Sequence, residues 1–371
     1  MQNAIIARQR VRVSGMTGWM VQQAPMTHIL TLPGDGIGPE ITEATLAIAR
    51  AAGGDAVRFE TMDIGLASLA AQGSTLPDAV LGAIPSADGV ILGPVSHYDY
   101  PAGQPNPSAK LRTHFNLFAN VRPCRAREGL SILRKPMDLI IVRENTEGFY
   151  ADRSMHMGPG EFMPDADSAF AIRKITAPAV RRVARAAFEL AAERRRKVTA
   201  VHKANVLKLT DGLFLREVRA VAADFPGVEL DEVIVDAAAA LLIRGPDRFD
   251  VIVTTNMFGD ILSDEASELS GSLGLGGSIN ASDDICVAQA QHGSAPDIAG
   301  QGIANPTSLI LSTTMLFDWL GRKRGDAALV DIARRIEAAA ETALADPATR
   351  TRDIGGPLDT RGFTEAVIAA L

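Results

Sequence analysis

Two aspartates that stand four residues apart are the first feature of the sequence that could do chemistry. Asp260 and Asp264 lie in the run FGDILSDEA, and on a helix they would share one face with Cβ atoms ~5–6 Å apart. Like charges at that spacing repel, so we expect a cation between them, and oxygen ligands suit Mg²⁺ or Mn²⁺. A third carboxylate, Asp236, ends a predicted strand. Ligands of parallel sheets bind at the carboxyl ends of the strands. A metal site and a solvated first helical turn remain alternatives for the pair.

Three arginines could bind the carboxylates of an acidic substrate. Arg112 and Arg122 each stand beside an apolar residue, and Arg143 opens the polar run RENTEGFY, which ends on Tyr150. A guanidinium group binds a carboxylate through two parallel hydrogen bonds. Three arginines and three aspartates within reach would therefore suit a polyacid chelated to a metal. For each arginine alone, a surface ion pair is the alternative.

A lysine and a glycine-rich loop are further candidates. Lys203 follows a predicted strand, and near arginines and a metal its pKa would fall, which would make it a proton acceptor; a solvated strand end is the alternative. In the loop 292–305 small residues would let the backbone approach a ligand, and Asp297 could accept hydrogen bonds from a ribose diol. Taken alone, this segment is only a turn-rich loop.

The run GDGIGP at 34–39 resembles a dinucleotide fingerprint only superficially. Pro39 stands where the pattern requires its third glycine, so a Rossmann fold is not indicated,. A tight turn between a strand and a helix is the alternative to direct ligand contact.

Short apolar runs alternate with longer helical segments from Thr27 onward, which predicts an α/β protein with a largely parallel sheet. Strands are predicted at 29–32, 89–92, 139–142, 198–201, 232–236 and 251–254. Helices are predicted from about Pro39 to residue 52 and at 177–194, 212–224 and 329–345. Long irregular insertions are predicted at 93–107 and 151–167.

Composition limits the classes of partner. The 371 residues carry a net charge of -7, which argues against nucleic acid as the main partner. Two distant cysteines make a disulfide framework improbable,, and no apolar run reaches the ~18 residues of a membrane span. Residues 1–25 contain arginines and no acidic residue; we expect a disordered extension or a start called too early, with a transit peptide as the alternative. Because a secretory apolar region is missing, we expect a cytoplasmic protein.

Together these segments resemble the β-decarboxylating dehydrogenases, which include isocitrate, homoisocitrate, 3-isopropylmalate and tartrate/D-malate dehydrogenases. The resemblance runs from about Leu30 to the C-terminus and rests on LPGDGIGPE, LFANVRP, RENTEGFY, HKANVLKLTDG, VDAAA, NMFGDILSDEAS and HGSAPDIAGQGIANP. It implies a two-lobed isocitrate/isopropylmalate dehydrogenase-like α/β fold with a large mixed, mostly parallel sheet. The cofactor lobe would comprise 26–117 and 271–371, and the metal, substrate and dimerisation lobe 118–270, with a clasp near 151–172.

The resemblance also implies an activity: NAD-dependent and Mg²⁺- or Mn²⁺-dependent oxidative decarboxylation of a 2-hydroxy polycarboxylic acid by a homodimer with shared active sites. Tyr150 would protonate the enolate, and Lys203 of the partner subunit would accept the hydroxyl proton. The implied substrate-binding residues are Arg112, Arg122, Arg143, Ser108 and Asn106, and the metal ligands are Asp260, Asp264 and Asp236 of the partner subunit. The implied cofactor-binding residues are His292, Gly293, Ser294, Ala295, Asp297, Ile298 and Asn305.

The substrate pocket departs from its relatives. Ser108 and Ala109 stand where isopropylmalate enzymes carry leucines, which predicts a small polar pocket of the isocitrate type. Asn106 and Ser108 also differ from the usual isocitrate pattern, and Gln289 stands where relatives often carry Glu. Tartrate/D-malate dehydrogenase is the alternative substrate class. A non-catalytic regulatory subunit is disfavoured because the tyrosine, the lysine and the three aspartates are all present.

Overall fold

The computed structural model describes residues 26–150, 155 and 157–371. The predicted extension 1–25 and part of the predicted clasp (151–154 and 156) lie outside the described residues. Among the helices of the described ranges, none is long and apolar enough to cross a membrane.

Strands and helices alternate along most of the described chain. The strands are β1 (Thr27–Leu32), β2 (Val57–Thr61), β3 (Gly89–Leu92), β4 (Ala119–Arg125), β5 (Asp138–Glu144), β6 (Glu161–Asp165), β7 (Ser168–Ala171), β8 (Lys197–His202), β9 (Glu229–Ile234), β10 (Val251–Thr254), β11 (Ile279–Ala281) and β12 (Cys286–Gln289). The helices are α1 (Gly38–Gly53), α2 (Gly65–Gln72), α3 (Asp78–Ala83), α4 (Pro107–His114), α5 (Ala177–Ala192), α6 (Thr210–Ala222), α7 (Val235–Arg244), α8 (Asn256–Ser270), α9 (Thr307–Arg324), α10 (Ala327–Ala345) and α11 (Thr360–Ala369).

One ten-stranded sheet organises the molecule, in the order β2-β1-β3-β12-β11-β4-β5-β10-β8-β9. The pairs β12–β11, β11–β4 and β4–β5 are antiparallel, and the remaining pairs of this sheet are parallel. The antiparallel strands therefore join two parallel groups in the middle of the sheet. This architecture confirms the predicted mixed, mostly parallel sheet.

Two strands, β3 and β10, begin and end where the sequence predicts, and β5 extends beyond the predicted 139–142 at both ends. β3 and β10 are buried along their whole length, as expected for parallel strands that are covered on both faces. One apolar cluster includes Ile29 and Ile91 from one parallel group and Val142 and Val253 from the other. One apolar core therefore packs against both parallel groups of strands.

Two predictions about local structure are wrong. The strand predicted at 232–236 ends at Ile234, and Asp236 is the second residue of α7. The run VDAAAALLIR has strong helix formers, and an aspartate in a first turn is stabilised by the helix dipole. The insertion predicted at 151–167 contains β6, which pairs antiparallel with β7 in a separate two-stranded sheet.

Candidate active site

A cleft of about 270 Å³ lies between the two parallel groups of strands. It is lined by residues from α4, β4, β5, α8 and the loop after β12. Nine of the predicted site residues line it: Asn106, Ser108, Arg112, Arg122, Arg143, Tyr150, Asp260, His292 and Gly293. Residues more than 180 positions apart in the chain are thus brought to one place.

The guanidinium group of Arg122 links β4 to α8. Its Nη1 donates to Ser263 Oγ at 2.7 Å and to Asp264 Oδ1 at 2.8 Å, and Nη2 lies 3.6 Å from Asp260 Oδ1. The Arg122 Nε is buried without a hydrogen-bond partner among the described residues. A buried donor without a partner is costly, so this atom fits a site that an anionic ligand completes.

Arg143 is almost completely buried, with 2% of its surface exposed. Its Nε donates to Asn256 Oδ1 at 2.8 Å, and Nη1 forms an ion pair with Asp260. A Cβ at Gly259 would lie 2.7 Å from the Arg143 Cβ and Cγ, which explains the glycine in NMFGD. The Tyr150 hydroxyl donates to Asp260 Oδ2 at 3.3 Å, so Asp260 joins the arginine and the phenol.

The two aspartates of α8 do not form a solvated helix start. Asp260 is the fifth residue of the helix, and the positive groups beside the pair are the buried guanidiniums of Arg122 and Arg143. Burial raises the pKa of Asp264; the neighbouring Asp260 adds to the shift and Arg122 opposes it. Asp260 and Asp264 therefore repel each other, as their spacing predicts. Arg122 and Arg143 offset this repulsion in the described chain.

Lys203 and Asp236 lie outside the lining of the cleft and bind each other. Lys203 follows β8, its backbone N donates to the buried Asp211 Oδ2 at 2.6 Å, and its Nζ forms an ion pair with Asp236. The hydrogen bond from Lys203 lowers the pKa of Asp236. Within the described part of one chain, no group of three His, Cys, Asp or Glu side chains is arranged to hold a metal. The contribution of both residues across a dimer stays a prediction.

The glycine run at 34–38 is a tight turn that supports the cofactor loop. Gly36 has φ +59°, and a Cβ there would collide with the carbonyl oxygen of Ser294. The Ile37 N donates to that carbonyl at 2.8 Å. Asp35 accepts from Ser96 N at 2.9 Å and from the Tyr100 hydroxyl. Of the two alternatives, the structure supports the turn.

Glu40 binds the C-terminal part of the cofactor loop 292–305, a role that was not predicted from the sequence. Its carboxylate accepts from Gly302 N at 3.2 Å, from Ala304 N at 2.9 Å and from the Thr360 hydroxyl. A glutamate that directly follows the turn GDGIGP was the available signal.

The predicted cofactor residues lie along this loop. Ser294 accepts a hydrogen bond from Ser96 Oγ at 2.7 Å, Asp297 and Ile298 are in a short 3₁₀ turn after Ala295, and Asn305 donates to Asp353 Oδ2 at 3.0 Å. Burial lowers the pKa of His292, and its Nε2 is buried without a hydrogen-bond partner in the described structure. His292 lines the cleft, so a ligand there could satisfy this ring nitrogen.

A further wall of the cleft includes the polar residues Asn106, Ser108 and Gln289, with Arg112 beside them. Asn106 caps α4, its Oδ1 accepting from Ala109 N at 3.2 Å. Ser108 Oγ contacts Gln289, and Arg112 Nη2 donates to Gln289 Oε1 at 3.4 Å. The sequence pattern marks Gln289 only as a departure from relatives, because its contacts with Ser108 and Arg112 are distant in sequence.

Comparisons with known proteins show the family of this chain. The family model for isocitrate/isopropylmalate dehydrogenase matches residues 28–367. The chain is 41% identical to 3-isopropylmalate dehydrogenase of Archaeoglobus fulgidus, covering 93% of this chain and 100% of the relative. It is 41% identical to isocitrate/homoisocitrate dehydrogenase of Thermus thermophilus, covering 93% and 98%. The crystal structure of isocitrate dehydrogenase from Methylococcus capsulatus superimposes with a TM-score of 0.83 at 39% identity, covering 93% of this chain and 99% of that one. The family predicted from the sequence is confirmed: the chain belongs to the isocitrate/isopropylmalate dehydrogenases.

Proposed function

We propose that this protein catalyses the NAD-dependent and divalent-metal-dependent oxidative decarboxylation of a 2-hydroxy polycarboxylic acid of the isocitrate or homoisocitrate type. Family membership makes the chain an oxidoreductase of the decarboxylating dehydrogenase type. The substrate, the cofactor and the metal are our proposal. The observation that carries it is the convergence of three arginines, Tyr150 and Asp260 on one cleft beside the loop of His292.

The charges of the cleft favour a substrate with several carboxylates. Arg112, Arg122 and Arg143 line it, and guanidinium groups bind carboxylates with defined geometry. Ser108 supplies a hydroxyl where an alkyl substituent would need apolar contact. A ligand that binds here removes water from the polar groups of this wall. The carboxylate of an isocitrate-like side group can replace the lost hydrogen bonds and an isopropyl group cannot, so the former fits better.

The aspartates of α8 fit a hard divalent cation. Asp260 and Asp264 are one turn apart, and their side chains are 34% and 48% exposed, so solvent and ligands reach them. Asp236 of the partner subunit would be the third ligand. A bound Mg²⁺ or Mn²⁺ would stabilise the negative charge that develops on substrate oxygen during decarboxylation.

The side chains of this chain would orient the substrate and move protons. Arg122 and Arg143 would exchange part of their pairing with α8 for substrate carboxylates. The Tyr150 hydroxyl, directed by Asp260, would donate its proton to the carbon that loses carbon dioxide. Lys203 of the partner subunit would accept the hydroxyl proton as hydride passes to the nicotinamide. Its contact with Asp236 would hold the lysine side chain in position between turnovers.

Exposed apolar side chains support a homodimer that shares these sites. Val206 and Leu209, just after Lys203, are 65% and 87% exposed, and Ile261 of α8 is 59% exposed. Phe162 and Phe170 are exposed on the β6–β7 hairpin with their rings stacked. Apolar surface of this kind is typical of interfaces. Since Ile261 follows Asp260, a partner covering it would come close to the carboxylates.

The cofactor loop favours NAD over NADP. Asp297 is exposed in its 3₁₀ turn, where a carboxylate can accept hydrogen bonds from both ribose hydroxyls. The same charge would repel a 2′-phosphate. The orphaned His292 Nε2 at the cleft is placed to donate to or accept from the nicotinamide end.

The test is a substrate panel that follows NADH formation. Isocitrate, homoisocitrate, 3-isopropylmalate, D-malate and tartrate are assayed with NAD and NADP, with Mn²⁺ and with a chelator. We expect the highest kcat/KM with isocitrate or homoisocitrate, NAD and Mn²⁺. A preference for malate or tartrate would reassign the substrate. The absence of NADH formation with all five acids would refute the proposal.

The metal assignment has a matched pair of variants on α8. Asp264→Asn is expected to raise the Mn²⁺ concentration needed for half-maximal activity at least ~10-fold, because a charged ligand is lost. Glu265→Gln, at the adjacent position, removes the same charge outside the set of proposed ligands and should leave that concentration unchanged. Equal behaviour of the two variants would count against the assignment.

A further inference from the structure

Arg173 is a buried arginine in the segment between β7 and α5. Only 6% of its side chain is exposed, and it lies outside the lining of the cleft. Its Nη1 donates to Thr210 Oγ1 at 2.7 Å and forms an ion pair with Asp211. Its Nη2 donates to Thr255 Oγ1 at 3.0 Å. Since Thr210 begins α6 and Thr255 directly precedes α8, one guanidinium group joins the N-terminal ends of both helices.

Two aromatic rings lie beside the same guanidinium group. The Arg173 Cζ is 5.6 Å from the ring centroid of Phe149 and 5.3 Å from that of Phe258, within the ~6 Å over which a cation attracts an aromatic ring. Phe149 directly precedes Tyr150, and Phe258 stands two residues before Asp260 on α8. Arg173 therefore also contacts the segments that carry the proposed proton donor and a proposed metal ligand.

Asp211 connects Arg173 to Lys203. Its side chain is completely buried; Oδ1 is paired with Arg173, and Oδ2 accepts from the backbone N of Lys203 at 2.6 Å. A buried carboxylate that loses its cationic partner keeps an uncompensated charge, which is strongly unfavourable. The carboxylate would then turn away or take up a proton, and either change weakens its hydrogen bond with Lys203. The position of the Lys203 backbone thus depends on Arg173.

We propose that Arg173 is a positioning residue that couples the two active sites of the dimer. In the proposed function Lys203 serves the site of the partner subunit, whereas Tyr150 and Asp260 serve the site of their own subunit. Arg173 contacts the segments of all three, so a displacement in one site changes the position of the lysine that serves the other. This inference rests on the proposed function and on the sharing of sites between subunits.

The test uses mixed dimers in which one chain carries Tyr150→Phe and the other carries Lys203→Met, separated by two affinity tags. One site then holds both lesions, and the other site is intact. Arg173→Met is added to either chain. In the Tyr150→Phe chain it acts on the intact site only through Lys203. In the Lys203→Met chain it acts on that site only through Tyr150 and Asp260.

We expect Arg173→Met to lower kcat with isocitrate, NAD and Mn²⁺ at least ~10-fold from either chain, because a displacement of about 1 Å in a catalytic group can cost ~10²-fold. KM for NAD should stay unchanged, since the loop 292–305 belongs to other elements than those that Arg173 contacts. Arg173→Lys keeps a positive charge beside Asp211 and should restore most of kcat.

Arg194→Met is the matched control. Arg194 Nε lies 2.9 Å from Asp250 Oδ1, and the Asp250 side chain is 1% exposed. This variant therefore also removes a guanidinium from a buried aspartate. Asp250 precedes β10 and Thr255 follows it, so the defect lies at the opposite end of the strand. We expect kcat of the mixed dimer to be unchanged by Arg194→Met in either chain.

A loss of kcat from one chain only would overturn the coupling, because Arg173 would then position the residues of a single site. A mixed dimer that is inactive without Arg173→Met would show that the sites are not shared, which would overturn it as well. If Arg173→Met does not fold, Arg173→Gln decides in the same way, because its amide still donates to Asp211 without the charge.

Hydrogen exchange at the Lys203 amide, measured by NMR, tests the connection without turnover. We expect exchange at least ~10-fold faster in Arg173→Met than in wild type or Arg194→Met, because the acceptor of this N–H is weakened. Unchanged exchange would refute the inference. Faster exchange in a protein that forms no NADH with any of the five acids would refute the proposed function and leave the role of Arg173 supported.

Discussion

Replacing Glu40 by Gln should weaken NAD binding although Glu40 is not expected to touch the cofactor. Both carboxylate oxygens accept hydrogen bonds: Oε1 from Ala304 N and from the Thr360 hydroxyl, and Oε2 from Gly302 N. An amide of the same shape would turn its NH₂ group toward at least one of these donors. The variant therefore loses a bond outright, and the charge that strengthens the others is lost with it.

The size of the effect follows from these contacts. A hydrogen bond to a charged group contributes ~1.5–3 kcal/mol, so the loss of one bond and the weakening of two others should cost about 2–3 kcal/mol. If about 2 kcal/mol of this cost destabilises the ordered conformation of the cofactor loop, the apparent affinity for NAD falls by at most ~30-fold. Each ~1.4 kcal/mol corresponds to a tenfold change in affinity.

The assay measures KM for NAD and the free energy of unfolding in urea for Glu40→Gln and for Glu43→Gln. Glu43 lies on the same helix, is exposed and accepts none of the three bonds, so it controls for the lost charge. We expect KM for NAD to rise about 10-fold in the first variant only. A Glu40→Gln protein that is destabilised but binds NAD normally would refute the coupling between Glu40 and the loop.

The remaining predictions concern the proton donor, cofactor choice, assembly and pH. Tyr150→Phe should lower kcat by ~10²–10³-fold with KM for NAD little changed, because it removes a general acid; stopped-flow measurement of normal decarboxylation would contradict this. Asp297→Lys should shift the NAD/NADP ratio of kcat/KM toward NADP by at least ~10-fold, and an unchanged ratio would reject the ribose contact. Leu209→Asp should yield monomers in sedimentation experiments, because it buries a charge in the proposed interface; an unchanged mass would place the interface elsewhere. Burial raises the pKa of Glu144 above its usual 4.5, so the folded state holds this proton more tightly than the unfolded chain. The free energy of unfolding should therefore fall as pH rises from 4.5 through the folded pKa,, and Glu144→Gln should remove this slope in urea titrations.

Some elements could be predicted because their signal is local. Residues 89–92 and 251–254 are continuous apolar runs, and the structure makes them strands with those bounds. β4 and β11 escaped prediction because Asn120, Arg122 and Asn280 interrupt their apolar pattern. These polar side chains are buried in the structure because partners from elsewhere in the chain satisfy them. Asp236 was misplaced for a related reason: the strand pattern runs into an alanine-rich helix without a turn signal.

The sequence by itself determined the family, the alternation of strands and helices and nine of the residues that line the cleft, since residue identity and short spacings carry that information. Only the tertiary structure decided what each residue contacts. Asp260 and Asp264 are one turn apart by sequence alone, but their pairing with Arg143 and Arg122 requires three separate elements to meet. Gln289 reaches Ser108 across 181 positions, a contact that no local pattern encodes. Hydrogen bonds and ion pairs at such separations depend on how the strands are ordered in the sheet, and that order follows from packing of the whole core.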